Sequence, residues 1–316
     1  NPYYWVELNK RIRAGLIFLE QVKVIPEKDL TEAYVHQMKY EVRFLIAYYY
    51  SLMIELYGPI PFTPGVIFPV DAPESELMTS QRPYNEIVAW IDNELLEVSQ
   101  NLPAVYPNNT DWGRATSVMA LAIRAKTLLY AASPLFNGNP DLKDWQNAEG
   151  EYLFDAEEKP EKWAKAAAAH LDLINAAESA GYKLYYEYNS DGTIDPFMSY
   201  YNMSLKRFSE GNREIIFGRP ENVDLYYWQD HHLPKGIGGN AAMGVTQDAF
   251  YMKNGEVPIL GYNEDGSPII NPESGYVEKG FSAETEFRTT RWPGGGPSNL
   301  GNKETNMSPV TEEGTF

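Results

Sequence analysis

The stretch richest in groups that could do chemistry is NVDLYYWQDHHLPKGIGG, residues 222–239. Tyr226, Tyr227 and Trp228 stand in succession, followed by Gln229, Asp230, His231 and His232. Aromatic rings stack on the C–H faces of sugars, and amides and carboxylates bond to hydroxyls, so one segment carries both halves of a sugar-recognition chemistry. Concave aromatic surfaces with a few polar groups are the general form of ligand sites. The competing assignment is packing of one or two of these rings against the rest of the fold. A second candidate is Trp292 in TTRWPGGGPSN, beside Arg288 and Arg291. A guanidinium fork suits carboxylates and vicinal hydroxyls. The alternative for Trp292 is an ordinary loop anchor.

Other chemistries find less support. The glycines after Trp292 lack the spacing and the Lys-Ser/Thr of a phosphate loop. His231 and His232 diverge in an extended segment, and His36 and His170 lie on helices elsewhere, so a surface pair is expected and no metal site. Residues 187–198, EYNSDGTIDPFM, offer Glu187, Asn189, Asp191 and Gly192 in the manner of a calcium loop, but Met198 occupies the place of the bidentate glutamate. A polar hairpin turn is preferred there; no cofactor is expected, with calcium the lesser alternative. With 44 acidic residues some carboxylate pair will always fit a glycosidase spacing, so none is nominated. No G-x-S-x-G or H-E-x-x-H pattern occurs. Binding is therefore favoured over catalysis, and no catalytic residue is assigned.

Composition narrows the partners. The 26 basic and 44 acidic residues give a net charge of −18. Such a chain repels phosphate backbones and anionic lipid head groups, so nucleic acid is not an expected partner. The absence of cysteine removes disulfides, thiolate metal sites and thiol nucleophiles. No run of about 18 apolar residues is long enough to span a bilayer. The chain opens at Asn1-Pro2-Tyr3-Tyr4-Trp5 already in helical pattern, and it reads as a piece of a longer protein. Tyrosines number 23 against 13 phenylalanines, a surplus that hints at binding surface because each ring carries a polar handle.

The elements that must position these residues are mostly helical. Leu8, Ile12, Leu16, Leu19 and Val22 mark a helix over 5–24. An Asp29-x-x-Glu32 capping pattern opens a long helix from about Leu30 to Tyr57, with Val35, Met38, Val42, Leu45, Tyr49, Leu52 and Leu56 as its stripe. Gly58, Pro59 and Pro61 stop it, and a Pro-rich crossing follows. Pro83 opens a third helix with Ile87, Ile91, Leu95, Val98 and Leu102 inward. Further helices are predicted from Arg114 to Ala132 and from Glu161 to Ser179. Paired antiparallel helices of this length predict a mainly α, tetratricopeptide-like stack. The consecutive Tyr48, Tyr49 and Tyr50 point about 100° apart in a helix, so they are read as packing on several sides, not as a ligand platform. Trp5, Trp112 and Trp163 are expected to be structural, while Trp90, Tyr3 and Tyr4 stay open. Beyond Gly181, residues 182–186 alternate like a short strand, Ile215-Ile216-Phe217 forms another apolar core, and after Arg219 the chain becomes rich in loops. Residues 1–180 are thus expected to be a helical scaffold and 181–316 a loop-rich half carrying the ligand site.

YEVRFLIAYYYSLMIELYGPIPF resembles the SusD/RagB family of outer-membrane nutrient-binding lipoproteins. The likeness extends in order to RPYNEIVAWIDNELLEVSQNLP, WGRATSVMALAIRAKTLLYAASPLFNG, KWAKAAAAHLDLINAAESAGYKLY and NREIIFGRP, covering roughly residues 5–260. The resemblance implies a single SusD-like domain, a tetratricopeptide-like half supporting an irregular half that carries the ligand site. It implies a surface-exposed outer-membrane protein that captures oligosaccharide or polysaccharide and hands it to a TonB-dependent, SusC-like transporter. The family's lipidated N-terminal cysteine and its final helices are not in these 316 residues, so contact with the membrane would be through an anchor outside them. Tyr226, Tyr227, Trp228 and Trp292 would then stack sugar rings, with Asp230 and Arg291 fixing orientation. The rivals are a solenoid that binds protein or peptide on its concave helical face, and, more remotely, a glycoside hydrolase.

Overall fold

The computed structural model describes residues 2–218, 249–276, 290–291 and 304–305. The chain divides into two compact units, Asn1–Pro220 and Glu221–Phe316. Seven α-helices are found among the described residues, all in the first unit: α1 (Pro2–Gln21), α2 (Glu32–Tyr57), α3 (Glu74–Leu77), α4 (Tyr84–Asn101), α5 (Ser117–Ala132), α6 (Pro160–Ser179) and α7 (Pro196–Leu205). Helix α1 packs on α2, α2 on α4 and α5, α4 on α5, and α5 on α6. This is the pairing expected of a tetratricopeptide-like stack.

Capping residues fix where the helices start, and two starts differ from expectation. Asp29 does not open α2; it takes a left-handed φ of 59° behind the turn Pro26–Lys28. Thr31 caps instead, its hydroxyl accepting from the Tyr34 N–H. Likewise α5 begins at Ser117, not Arg114, because the Thr116 hydroxyl accepts from the Met119 N–H. Each cap satisfies one of the donors a helix leaves unpaired at its first turn. The stop at Gly58 is as expected, with φ of 67°.

The stripe of α4 is realised in full: Ile87, Ile91, Leu95 and Val98 are completely buried. That of α2 is not. Leu45 and Leu56 remain 37% and 52% exposed, while Phe44, Ala47, Tyr50, Met53 and Ile54 are buried. The helix is apolar nearly all round, and its contacts with α1, α4 and α5 select the buried side. The three tyrosines are scaffold, each with a different neighbour. Tyr50 meets Phe62 and Trp90 edge-on, Tyr48 stacks on Phe44, and Tyr49 tilts against Tyr48. Trp90 thereby belongs to the core as well. Trp5 meets Tyr57 edge-on, whereas Trp163, expected to be structural, is exposed on α6.

Two ionic nodes tie the stack together. Arg43 on α2 grips Glu94 of α4 at 2.6 and 2.9 Å and reaches Glu97 at 2.7 Å. Asp92 of α4 lies 2.6 Å from Arg124 of α5 and 2.5 Å from Lys165 of α6. The Asp92 and Arg124 side chains are only 6% and 10% exposed, so this pair is shielded from solvent.

After α6 the chain runs extended through 182–186 without a ladder partner. Single bonds hold it to the later segment, Lys183 N–H to Arg213 carbonyl and Tyr185 N–H to Glu214 carboxylate. The antiparallel hairpin β1 (Glu187–Tyr188) and β2 (Ile194–Asp195) follows, and Asp195 caps α7 by accepting from Met198 N–H. This is the polar hairpin preferred over a calcium loop. Its carboxylates take protein donors: Asp191 accepts from the Thr193 N–H and hydroxyl, Glu187 from Tyr185 and Asn202. Phe217 closes the unit edge-on to Phe44 and Tyr48.

In the second unit β3 (Ile259–Tyr262) pairs antiparallel with β4 (Pro268–Ile270), and β5 (Thr290–Arg291) with β6 (Glu304–Thr305). One corner recurs at 147–151, 189–193, 252–256 and 263–267, two copies in each unit. The first N–H donates to the fifth carbonyl at 2.8–3.0 Å, and the glycine in fourth place donates back to the first carbonyl. Those glycines have φ of 81–85°, the left-handed position that closes a three-residue hairpin loop.

Candidate functional site

Among the described residues a cleft of ≈ 370 Å³ opens where three segments converge. The α4–α5 loop supplies Val105, Tyr106 and Pro107; the end of α6 supplies Ala180, Gly181 and Tyr182; the later turn supplies Phe208 and Arg213. A recess of ≈ 30 Å³ adjoins it, reaching Trp112, Arg114, Thr116 and Met119. Each wall is held from behind.

Tyr106 is fixed through α2. Its hydroxyl lies 2.8 Å from Glu41 Oε1 and accepts from Gln37 Nε2 at 3.1 Å. The same carboxylate binds Arg114 at 2.6 Å, and Arg114 also pairs with Asp111 at 3.0 Å and lies 4.8 Å over the Tyr106 ring. Burial and the adjacent Glu41 charge push the Tyr106 phenol well above its usual range. Phe208 stacks on Trp112 with centroids 5.7 Å apart and lies 6.3 Å from Tyr182. The guanidinium of Arg213 stands 4.0 Å above the Phe208 ring. Its chain neighbour Asn212 is fully buried and donates to the Met203 and Lys206 carbonyls, locking the turn that presents Arg213. Trp112 in turn needs Gly218: a Cβ there would meet the indole at 2.6 Å. Such a cleft can hold a ring against its aromatic and apolar wall and orient it with a cation.

A sequence profile described as "Starch-binding associating with outer membrane", the SusD-like family, matches residues 1–129. The likeness of sequence falls within the helical unit. Among solved structures, BT4246 superposes with a TM-score of 0.66 at 29% identity, covering 84% of this chain and 49% of its own. A SusD-like protein from Bacteroides fragilis gives a TM-score of 0.53 at 19% identity, covering 83% of this chain and 43% of its own, a likeness of fold. The chain thus spans about half the length of the SusD-like structures it matches. Comparison with curated proteins gives no match.

Of the residues singled out in sequence, Tyr226, Tyr227, Trp228, Asp230 and Trp292 lie outside the described residues, as do Gln229, His231, His232 and Arg288. Arg291 is described only in its backbone, in β5 opposite Glu304. The cleft is built from residues that sequence reasoning did not nominate for binding; Trp112 was expected to be structural. Its rings share one legible sign: Tyr106, Trp112, Tyr182 and Phe208 all stand just outside α-helices, where no helical stripe accounts for them.

A second aromatic surface lies on α7. Phe197, Tyr200 and Tyr201 are 72%, 77% and 52% exposed, and Phe197 stacks on Tyr201 one turn away. No group of three or more potential metal-ligating side chains occurs among the described residues. Among the same residues no helix is long and apolar enough to cross a membrane.

Proposed function

We propose that this protein captures oligosaccharide or polysaccharide at the bacterial cell surface without cleaving it, and delivers it to a TonB-dependent, SusC-like transporter in the outer membrane. The observation that carries the binding step is the preorganised aromatic cleft around Phe208 and Tyr182. Delivery, outer-membrane location and attachment through a lipid anchor rest on the SusD-like resemblance. Stacking and hydrogen bonding need no cofactor, and rings fixed before binding lower the ordering cost of capture. Tyr226, Tyr227, Trp228 and Trp292 are proposed as further stacking rings, with Asp230 and Arg291 as orienting groups.

Calorimetric titration of an oligosaccharide panel tests this reading. Phe208→Ala should weaken the best ligand about tenfold, the loss of roughly one stacking contact of about 1–1.5 kcal/mol. Tyr200→Ala on α7 should leave it within twofold. Equal affinities for Phe208→Ala and the parent would remove the cleft from the site.

A second reading, docking of a peptide or protein, is favoured by one observation, the exposed rings along α7. It predicts that Phe197→Ala and Tyr200→Ala weaken co-purification of the transporter while leaving sugar binding intact.

A further inference from the structure

We propose that the cleft selects a sugar bearing a carboxylate, with Arg213 binding the carboxylate and the apolar side of the sugar resting on Val105, Pro107 and the edge of Phe208. This rests on the glycan-binding reading above and names its substrate class.

The argument starts from how this acidic chain uses its arginines. Arg43, Arg82, Arg114 and Arg124 all pair with carboxylates. Among the described residues Arg11, Arg13, Arg207 and Arg213 have no carboxylate within 4.0 Å, and of these four only Arg213 lines the cleft. The neighbouring Arg114, by contrast, is already neutralised by Glu41 and Asp111. The Arg213 guanidinium rests on Phe208 at 4.0 Å, and its backbone carbonyl accepts from Lys183 N–H at 3.2 Å. A guanidinium resting against a ring by its carbon still has N–H edges to offer, and a carboxylate can meet two of them with parallel bonds.

The net charge of −18 opposes this at long range, and distance decides the outcome. At physiological salt the screening length is about 8 Å, so charges spread over the surface are largely damped at the cleft. A contact pair below about 4 Å lies well inside that length and keeps more of its attraction. The cleft's ≈ 370 Å³ lies at the lower end of ligand sites, which run to about 1,000 Å³, so it fits a short stretch of glycan.

The test titrates the 316-residue chain with an oligogalacturonate, sialyllactose, and the carboxyl-reduced counterpart of each, at low and high salt. We expect one acidic ligand to bind at least tenfold more tightly than its reduced form, and the preference to shrink as salt rises. Which of the two binds separates a uronic-acid polymer from a sialylated glycan as the source of the carboxylate. Arg213→Gln should abolish the preference, leaving acidic and reduced forms equally bound, and Arg213→Lys should retain part of it. Arg213 is exposed, so melting temperatures within about 2 °C of the parent would verify that these variants fold. Equal binding of acidic and reduced ligands, or an unchanged preference in Arg213→Gln, overturns the inference and leaves glycan capture standing. Binding of neutral oligosaccharides alone has the same consequence. Failure of every acidic, reduced and neutral sugar to bind overturns both.

Discussion

The cleft beside Phe208 and the outer face of α7 are equally aromatic, yet they differ in what supports the rings. In the cleft every ring is braced: Phe208 by Trp112 and Arg213, Tyr106 by Glu41 and Gln37. On α7 the rings of Phe197 and Tyr201 brace only one another, and Tyr200 stands 77% exposed. Braced rings hold a fixed geometry and suit selective stacking; mobile exposed rings adapt to a larger, less regular partner. The braced cleft is therefore suited to a small, stiff ligand and the exposed face of α7 to a macromolecule.

The largest expected effect attacks the support of the cleft. Asp92→Ala leaves Arg124 shielded without its 2.6 Å partner and frees Lys165, loosening the join of α4, α5 and α6. Removing one partner of a shielded pair costs about 3–5 kcal/mol, to be read by urea denaturation. Sugar affinity should fall with it. If the cleft keeps full affinity in this variant, its walls do not depend on the helix stack.

A smaller effect separates the two regions directly. Gly218→Ala forces the Trp112 indole away from a 2.6 Å contact and so disturbs the ring behind Phe208. Overpacking of this kind costs about 1–3 kcal/mol. Sugar affinity should drop several-fold, while limited proteolysis around α7 stays unchanged. Parallel changes at both places would mean that the regions are coupled.

The smallest effect concerns acid, at the other end of α6. Asp155 accepts from Asn85 and pairs with Lys159 and Lys162. Burial alone would raise its pKa; the bonds from Lys159, Lys162 and Asn85 outweigh it and hold the group at about 2, below the ordinary 3.8. A depressed folded pKa contributes stability above the unfolded value and loses it as pH falls from about 4 towards 2. Thermal melts of the parent across that window should fall more steeply than those of Asp155→Asn. Parallel slopes would show that this group does not couple folding to protons.

Much of the helical stack is legible because single-faced helices announce their inward side. Ile87, Ile91, Leu95 and Val98 could be assigned from spacing alone, since polar residues such as Glu86, Asn93, Glu97 and Gln100 recur between them. In α2 the apolar residues surround the axis, so spacing does not reveal that Phe44 turns inward and Leu45 outward. The cleft was harder still. Its parts come from 106, 182, 208 and 213, brought together by tertiary packing that no local pattern encodes. Asp29 and Thr31 compete for one helix start, and the left-handed turn at Asp29 removes it from the contest. The aromatic run at 226–228 has the stronger local signature because its residues are adjacent in sequence; adjacency is what a linear reading sees best.

The corner repeated at 147–151, 189–193, 252–256 and 263–267 also bears on how the chain finds its structure. Each copy joins residues only four apart, so little loop entropy is lost in closing it. Short hairpins form in about 1–10 μs, well before helices distant in sequence need to meet. The long connections of this protein therefore enter folding with their reversals already set, and the slow search is left to the segments that must meet from afar, such as Tyr106 and Phe208.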